Sequence, residues 1–223
     1  MPAKFSSDPG GADKYPPEEK VFWMLLYAPN KDGKFGTGIK GNMWLQKDMF
    51  LLTKNLEALR ELKFDEHLYG PFSPVVQSIQ VQNANSGLVK QSLEDSGPIK
   101  LTEKGIEQAK RIWDSASESE KKIVTKIKRF LNDMNTWEMI AFVYSTYPET
   151  TKNSDVVPQF ERTRIDSAIS LLQRNLVSLE RAATISGKPL EEFMQILRQR
   201  KVQTTSQDIA SFREDLKYVE HIT

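Results

Sequence analysis

The chain has no cysteine and no apolar run near the length of a membrane span. Without cysteine neither a disulfide scaffold nor a thiolate metal site can form, which fits a reducing compartment. A transmembrane helix needs roughly 20 consecutive apolar residues, and no segment approaches that length. The Pro/Gly/Ser-rich start, residues 1–17, lacks the apolar stretch of a signal peptide. We therefore expect a cytoplasmic protein with a disordered lead-in and no membrane association.

Groups suited to catalysis or metal binding are also scarce. The chain has two histidines, His67 and His221, which are far apart in sequence, and neither has a metal-ligand partner at helical spacing. There is no nucleophile elbow and no P-loop. Residues 36–41 fit G-x-G-x-x-G by letter, but no strand precedes them, so we interpret them as a flexible loop. We expect no enzyme, no cofactor and no metal; a deep acidic pocket around His67 would reopen the question.

A surplus of positive charge is missing too. The chain carries 31 basic and 30 acidic residues, a net charge of +1, and no part of it is basic as a whole. A surface that binds nucleic acid would therefore have to come from local clustering of cations. Hydrophobic residues at 39% and charged residues at 27% are typical of a folded globular protein, which excludes wholesale disorder.

Helical periodicity and turn residues dominate what is present. Three helices are predicted first, at about 18–28, 43–62 and from Pro74 to Gly87, with Ser73 as N-cap of the third. Two short strands flanking the turn at 94–98 then predict a β-hairpin, and Thr102 is predicted to cap the following helix. The order of three helices, hairpin and helix is that of a winged helix-turn-helix, in which the hairpin is the wing.

The second half of the chain reads as helical almost throughout. Two helices are predicted at 118–134 and 136–147, and the polar stretch 149–158 is the best linker candidate. Further helices are predicted at about 162–175, 178–186, 189–201 and 206–221. The sequence thus predicts a mainly α protein: a lead-in at 1–17, a winged helix domain at 18–115, a helical connection and linker at 116–158, and a C-terminal helix-turn-helix module at 159–223. The four tryptophans lie in helices and are expected to be core or interface anchors.

Residues 43–113 resemble the winged-helix domains of MarR- and PadR-type regulators. The resemblance rests on Gly87-Leu88-Val89 before the wing and on Leu101-Thr102-Glu103-Lys104-Gly105 after it. The Tyr69-Gly70-Pro71-Phe72-Ser73 turn is more specifically similar to winged-helix proteins related to the Panacea group of antitoxin-associated domains. The resemblance implies that the helix after this turn is the counterpart of a recognition helix.

Residues 165–202 resemble a small antitoxin-type family, long classed as uncharacterised. The shared pattern is Ala168-Ile169, Leu171-Leu172, Val177-Ser178-Leu179, Ala182-Ala183, Gly187, Glu192-Phe193, Ile196-Leu197 and Val202. Small alanines where two helices touch, followed by a glycine that tolerates positive φ, are what a tight helix-turn-helix requires. The helix at 189–201 would then be the one that reads DNA.

These patterns predict a DNA-binding transcription regulator or antitoxin-type repressor. Amides can read base edges and cations can neutralise phosphates. The candidate DNA-binding residues are Gln77, Gln80, Lys90, Arg181, Lys188, Gln195, Arg198, Gln199, Arg200 and Lys201. The expected partner is double-stranded DNA bound by a homodimer, with helices 118–134 and 206–221 as candidate dimerisation elements. The alternative is a protein–protein interaction module, such as an antitoxin that covers a toxin, without direct DNA binding.

Overall fold

The computed structural model describes residues 15–91 and 97–202. The chain divides into two compact units. The first comprises Met1–Asp65 and Pro71–Asp133, and the second comprises Glu66–Gly70 and Met134–Thr223. Within the described ranges, no helix has both the length and the hydrophobicity that a bilayer crossing requires.

The predicted fold class is confirmed: the chain is mainly helical, with a short antiparallel hairpin in a winged helix-turn-helix order and a helical C-terminal module. The first unit contains α1 (Pro17–Tyr27), α2 (Asn42–Thr53), a 3₁₀ turn (Glu57–Leu59), α3 (Pro74–Asn85), β3 (Val89–Gln91), β4 (Ile99–Leu101), α4 (Glu103–Ser115) and α5 (Glu118–Asp133). Two further short strands, β1 (Asp65–His67) and β2 (Gly70–Phe72), pair with each other.

Helix α1 is the centre of the first unit. Its six consecutive residues from Val21 to Leu26 are all fully buried, so the helix is covered on every side. It packs against α3, α4, α5 and strand β4. Among the tryptophans, Trp23 is fully buried in this helix, while the Trp44 indole donates to the Leu131 carbonyl oxygen at 3.0 Å.

Three local predictions in this unit are wrong. Helix α2 ends at Thr53 rather than near residue 62, because Leu56 is extended (φ −116°, ψ 112°). The turn expected at 69–73 contains strand β2. Ser73 stands at the N-cap of α3 but its hydroxyl caps nothing; the backbone N–H of Ser73 instead donates to Gln46 Oε1 at 2.8 Å.

The glycine-rich segment 36–41 is packed, not a flexible loop. Its Ile39 forms an isolated antiparallel bridge with Ile99 of β4, in which each backbone N–H donates to the other carbonyl at 3.0 Å. Gly38 lies so close to β4 that a Cβ there would be 2.0 Å from the Ile99 carbonyl oxygen. The segment therefore extends the wing sheet by one bridge.

The second unit contains α6 (Thr136–Thr146), a 3₁₀ turn (Pro148–Thr151), α7 (Val157–Gln173), α8 (Leu179–Ser186) and α9 (Leu190–Gln199). Helix α6 starts with a capping box between Asn135 and Glu138, and the buried Glu138 carboxylate also accepts from Arg174 at 2.8 Å. In the predicted linker, Ser154 Oγ donates to the Leu68 carbonyl at 2.8 Å and lies 2.6 Å from the Tyr144 hydroxyl. Helix α7 begins five residues before its predicted start. Both the predicted helix at 206–221 and wing residues 92–96 lie outside the described residues.

Candidate nucleic-acid interface

The corner between α3 and the wing is built as the sequence predicts. Gly87 follows α3 with φ 68°, and the Leu88 N–H closes the helix end on the Asn83 carbonyl at 3.0 Å. Thr102 caps α4, because its hydroxyl oxygen accepts from the Gly105 N–H at 3.1 Å. The same hydroxyl donates to the Gly87 carbonyl at 2.9 Å. One side chain thus ties the end of α3, the wing and the start of α4 together.

Register places two lysines side by side on the outer face of the wing. Strands β3 and β4 are antiparallel, with Val89 opposite Leu101 and Lys90 opposite Lys100. Val89 and Leu101 are buried, whereas both lysines are exposed. Sequence reasoning selected Lys90 and missed Lys100, although the alternation of Ile99, Lys100 and Leu101 was a signal that Lys100 points outwards.

The predicted readers on α3 are less accessible than expected. Gln80 is only 1% exposed and its amide donates to Gln91 Oε1, so Gln80 does not present its side chain to solvent. Gln77 is half-buried and accepts from Asn42 Nδ2 at 2.8 Å. The outward face of α3 carries instead the exposed residues Val75, Ser78, Val81, Gln82 and Asn85. This face has no charged side chain.

The corner between α8 and α9 is a tight helix-turn-helix. Ser178 caps α8 by accepting from the Arg181 N–H at 3.2 Å. Gly187 ends α8 in the left-handed region with φ 72°. Ala182 and Ala183 are buried in α8, and Phe193 and Leu197 are buried in α9. The outer face of α9 is therefore held in place by a small apolar core.

Charge on α9 changes sign along the helix. Its first turn carries the exposed acids Glu191 and Glu192, while the exposed Gln195, Arg198 and Gln199 follow. Beyond the helix end, Arg200 pairs with Asp166 of α7, and Lys201 is exposed with φ 54°. Lys188, before the helix, pairs with Glu192 at 2.6 Å. The cations thus cluster at the C-terminal end of α9.

Arg181, another predicted DNA contact, is used in packing. Its guanidinium donates to Thr146 Oγ1 and lies over the Phe142 ring, 5.3 Å from the centroid. These contacts join α8 to α6.

His67 is exposed on β1, and the described residues hold no cluster of three or more potential metal ligands.

Comparison with known proteins adds a family match in the C-terminal region. The family described as Uncharacterised protein family (UPF0175) matches residues 147–221, which leaves the whole first unit outside the match. The match spans residues 165–202 and is consistent with the resemblance to a small uncharacterised family noted above. Neither the curated proteins nor the solved structures contain a significant match to this chain.

Proposed function

We propose that the chain is a DNA-binding repressor of the antitoxin type, acting in the cytoplasm as a homodimer. The observation that carries the proposal is the pair of exposed lysines, Lys90 and Lys100, opposite each other on the wing. Like charges directly opposite on a sheet destabilise it, so stability does not explain the pair. Two ammonium groups at one place on a wing are suited to neutralise backbone phosphates.

In this proposal α3 enters the major groove and the wing contacts the adjacent backbone. The exposed polar residues Ser78, Gln82 and Asn85 would contact base edges, and the exposed methyl groups of Val75 and Val81 would contact thymine methyls. Gln77 and Gln80 are not part of this contact set, because Gln80 is buried, Gln77 is half-buried and both side chains are bonded within the unit. Affinity would come mainly from phosphates and would fall steeply with salt.

In the α8–α9 corner, the C-terminal end of α9 would contact DNA, and its N-terminal end would not. Recognition helices generally contact bases through their N-terminal residues. Here Glu191 and Glu192 occupy that position, and phosphates would repel them. We therefore assign Arg198 and Lys201 to phosphate contact at the C-terminal end of α9.

The test is a fluorescence anisotropy titration of the full chain with a labelled DNA duplex over a series of salt concentrations. The double variant K90Q/K100Q should weaken binding and lower the salt slope by about 2, roughly one per lost phosphate contact. The matched control is K34Q/K63Q, which removes two exposed lysines elsewhere in the first unit. Equal losses in both variants, or no DNA binding even at low salt, would overturn the proposal.

A second candidate function is binding of a partner protein such as a toxin. The specific observation is a partly exposed aromatic cluster formed by Tyr27, Phe35 and Trp113, whose ring centroids lie 5.3 to 6.1 Å apart. Phe35 is 50% exposed, and the nearby Ile106 is 39% exposed. Aromatic anchors of this kind are enriched in protein interfaces.

This candidate is tested by co-purification with the protein encoded by the neighbouring gene. F35S/I106T should abolish a complex made through the cluster, while K90Q/K100Q should leave it intact. Loss of the complex in K90Q/K100Q but not in F35S/I106T would exclude the cluster as the partner site.

A further inference from the structure

The first unit contains a cavity of about 300 Å³ beside α5. It lies among the segment 30–40, the base of the wing and the last two turns of α5. Its lining residues are Asn30, Lys31, Thr37, Gly38, Ile39, Lys40, Pro98, Lys128, Arg129, Asn132 and Asp133. We call it the α5 cavity. Its volume is at the lower end of the range for small-molecule sites.

The cavity has a strong excess of positive charge. Four of its lining residues are cationic, and the single lining carboxylate, Asp133, pairs with Lys31 at 2.5 Å. On α5, Lys128 interacts electrostatically with the buried carboxyl group of Asp48, whereas Arg129 forms no ion pair with a described residue. A neutral ligand would leave the charge of Arg129 without a counter-ion at the cavity.

Lys128 is buried at the cavity wall with one donor unused. It is 2% exposed, and its ammonium donates to the backbone carbonyls of Leu26 at 3.2 Å and Ala28 at 2.7 Å. An ammonium has three N–H donors, so the third has no acceptor among the described residues. A buried cation with an unfilled donor favours an anionic acceptor next to it.

Arg129 adds a planar guanidinium group, a fork that can donate two parallel hydrogen bonds, to the ammonium of Lys128. Arg129 lines the cavity and its Nε donates to the Pro29 carbonyl at 3.2 Å, while its two terminal nitrogens bond no other described residue. A guanidinium presented in this way matches the two oxygens of a carboxylate or a phosphate.

We propose that the α5 cavity binds a small ligand through an oxyanion group, either phosphate or carboxylate, held by Arg129 and Lys128. Pro98 lines the cavity and immediately precedes Ile99, the β4 residue that bridges to Ile39. A bound ligand therefore lies against the base of the wing and stabilises the Ile39–Ile99 bridge. The site stands independently of DNA binding.

The test uses the full chain and calorimetric titration with three probes: inorganic phosphate, glycerol 3-phosphate and succinate. Saturable binding by both phosphate probes, with weaker binding of succinate, would assign a phosphate group; the reverse order would assign a carboxylate. R129Q should lower the affinity at least tenfold, whereas R111Q, which removes an exposed arginine of α4, should not change it. R129K, which keeps the charge but loses the fork, should fall between them.

Hydrogen exchange provides a second readout that needs no DNA. The preferred probe should slow exchange of the Ile39 and Ile99 amides in the unaltered chain and not in R129Q. The absence of saturable binding by all three probes, or equal affinities of R129Q and R111Q, would overturn the proposal.

Discussion

Thr102 joins three backbone segments through one hydroxyl group, at the corner where α4 leaves the wing. It accepts from Gly105 N–H and its proton is within reach of the Gly87 and Leu88 carbonyls, at 2.9 and 3.2 Å. Thr102→Ala should lower the free energy of unfolding by about 1–2 kcal/mol, because the cap and the bond to the end of α3 are lost together. Urea unfolding followed by tryptophan fluorescence measures this, since Trp23, Trp44 and Trp113 are in the first unit.

The matched control for Thr102 is Thr102→Ser, which keeps the hydroxyl and removes only a methyl group. Serine is as good an N-cap as threonine, so most of the stability should return. A serine variant as unstable as the alanine variant would show that the methyl group, not the hydrogen bonds, carries the effect.

Lys47 is a buried amine with a single weak acceptor. It is 2% exposed, and its Nζ lies 3.4 Å from the Pro71 carbonyl oxygen. Burial lowers the pKa of Lys47 from 10.5 to about 7, so above that pH the folded chain holds it neutral while the unfolded chain still binds the proton. Since the unfolded state then binds more protons, stability rises with pH between these two values, by at most about 1.4 kcal/mol per pH unit.

Lys47→Met should remove this dependence of stability on pH, while the methionine side chain fills the same volume. The variant should be more stable than the unaltered chain at about pH 7.5, and the difference should shrink towards about pH 9.5. Lys128, whose pKa burial lowers to about 8, is present in both proteins, so the difference between them isolates Lys47. Parallel curves of stability against pH would contradict a titrating Lys47.

At the scale of elements, the two helix-turn-helix corners depend on glycine to different degrees. Gly87 and Gly187 both follow a helix with positive φ, 68° and 72°. A Cβ on Gly87 would meet nothing within 4 Å, whereas one on Gly187 would lie 2.6 Å from the Arg164 guanidinium carbon. That guanidinium is fixed, because its Nε donates to the Ile185 carbonyl at 2.9 Å and it lies over the Phe160 ring.

Gly187→Ala should therefore destabilise its unit more than Gly87→Ala destabilises the other. Gly87→Ala carries only the cost of a left-handed alanine, about 1 kcal/mol, while Gly187→Ala also displaces Arg164. Hydrogen exchange of core amides in each unit gives the two losses separately. Adding Arg164→Ala to Gly187→Ala should recover the part of the stability loss that comes from the steric clash. If the losses in free energy of the two single variants simply add in the double variant, the guanidinium is not the obstacle.

Which features the sequence predicts depends on how far apart the interacting residues lie along the chain. Thr102 and Ser178 each cap a helix whose first turn they precede, and Gly87 lies two residues past the end of α3, so short-range chemistry identifies all three. Ser73 has the same local signature, yet its backbone is taken by Gln46, 27 residues earlier, and no local pattern shows that.

The same reasoning explains the candidate site residues. Strand alternation was sufficient to place Lys90 and would have placed Lys100. The burial of Gln80 depends on which side of α3 faces the core, and the use of Arg181 depends on Phe142 and Thr146 in another helix. Likewise, the sequence pattern of α5 presents Lys128 as an ordinary helix cation, because the two carbonyls that hold it, of Leu26 and Ala28, lie about 100 residues earlier.

At the scale of the whole molecule, a net charge of +1 makes DNA affinity a matter of where charges lie. The wing sequence itself contains Glu94 and Asp95, which lie outside the described residues, between the strands that carry Lys90 and Lys100. If the wing contacts phosphates, these acids weaken binding by repulsion. E94Q/D95N should then raise affinity for a duplex at low salt by roughly 3- to 10-fold, a surface electrostatic effect of about 1 kcal/mol.

The control for this variant changes the net charge equally at another place. D65N/E107Q neutralises two exposed acids of the first unit, on β1 and α4, and neither takes part in a described ion pair. Anisotropy titrations of both variants separate local repulsion at the wing from a general charge effect. Local repulsion predicts a gain in affinity for E94Q/D95N alone, whereas a general charge effect predicts the same gain for both variants. An equal gain in both would place the DNA elsewhere on the molecule, and a gain that persists at high salt would rule out phosphate repulsion as its cause.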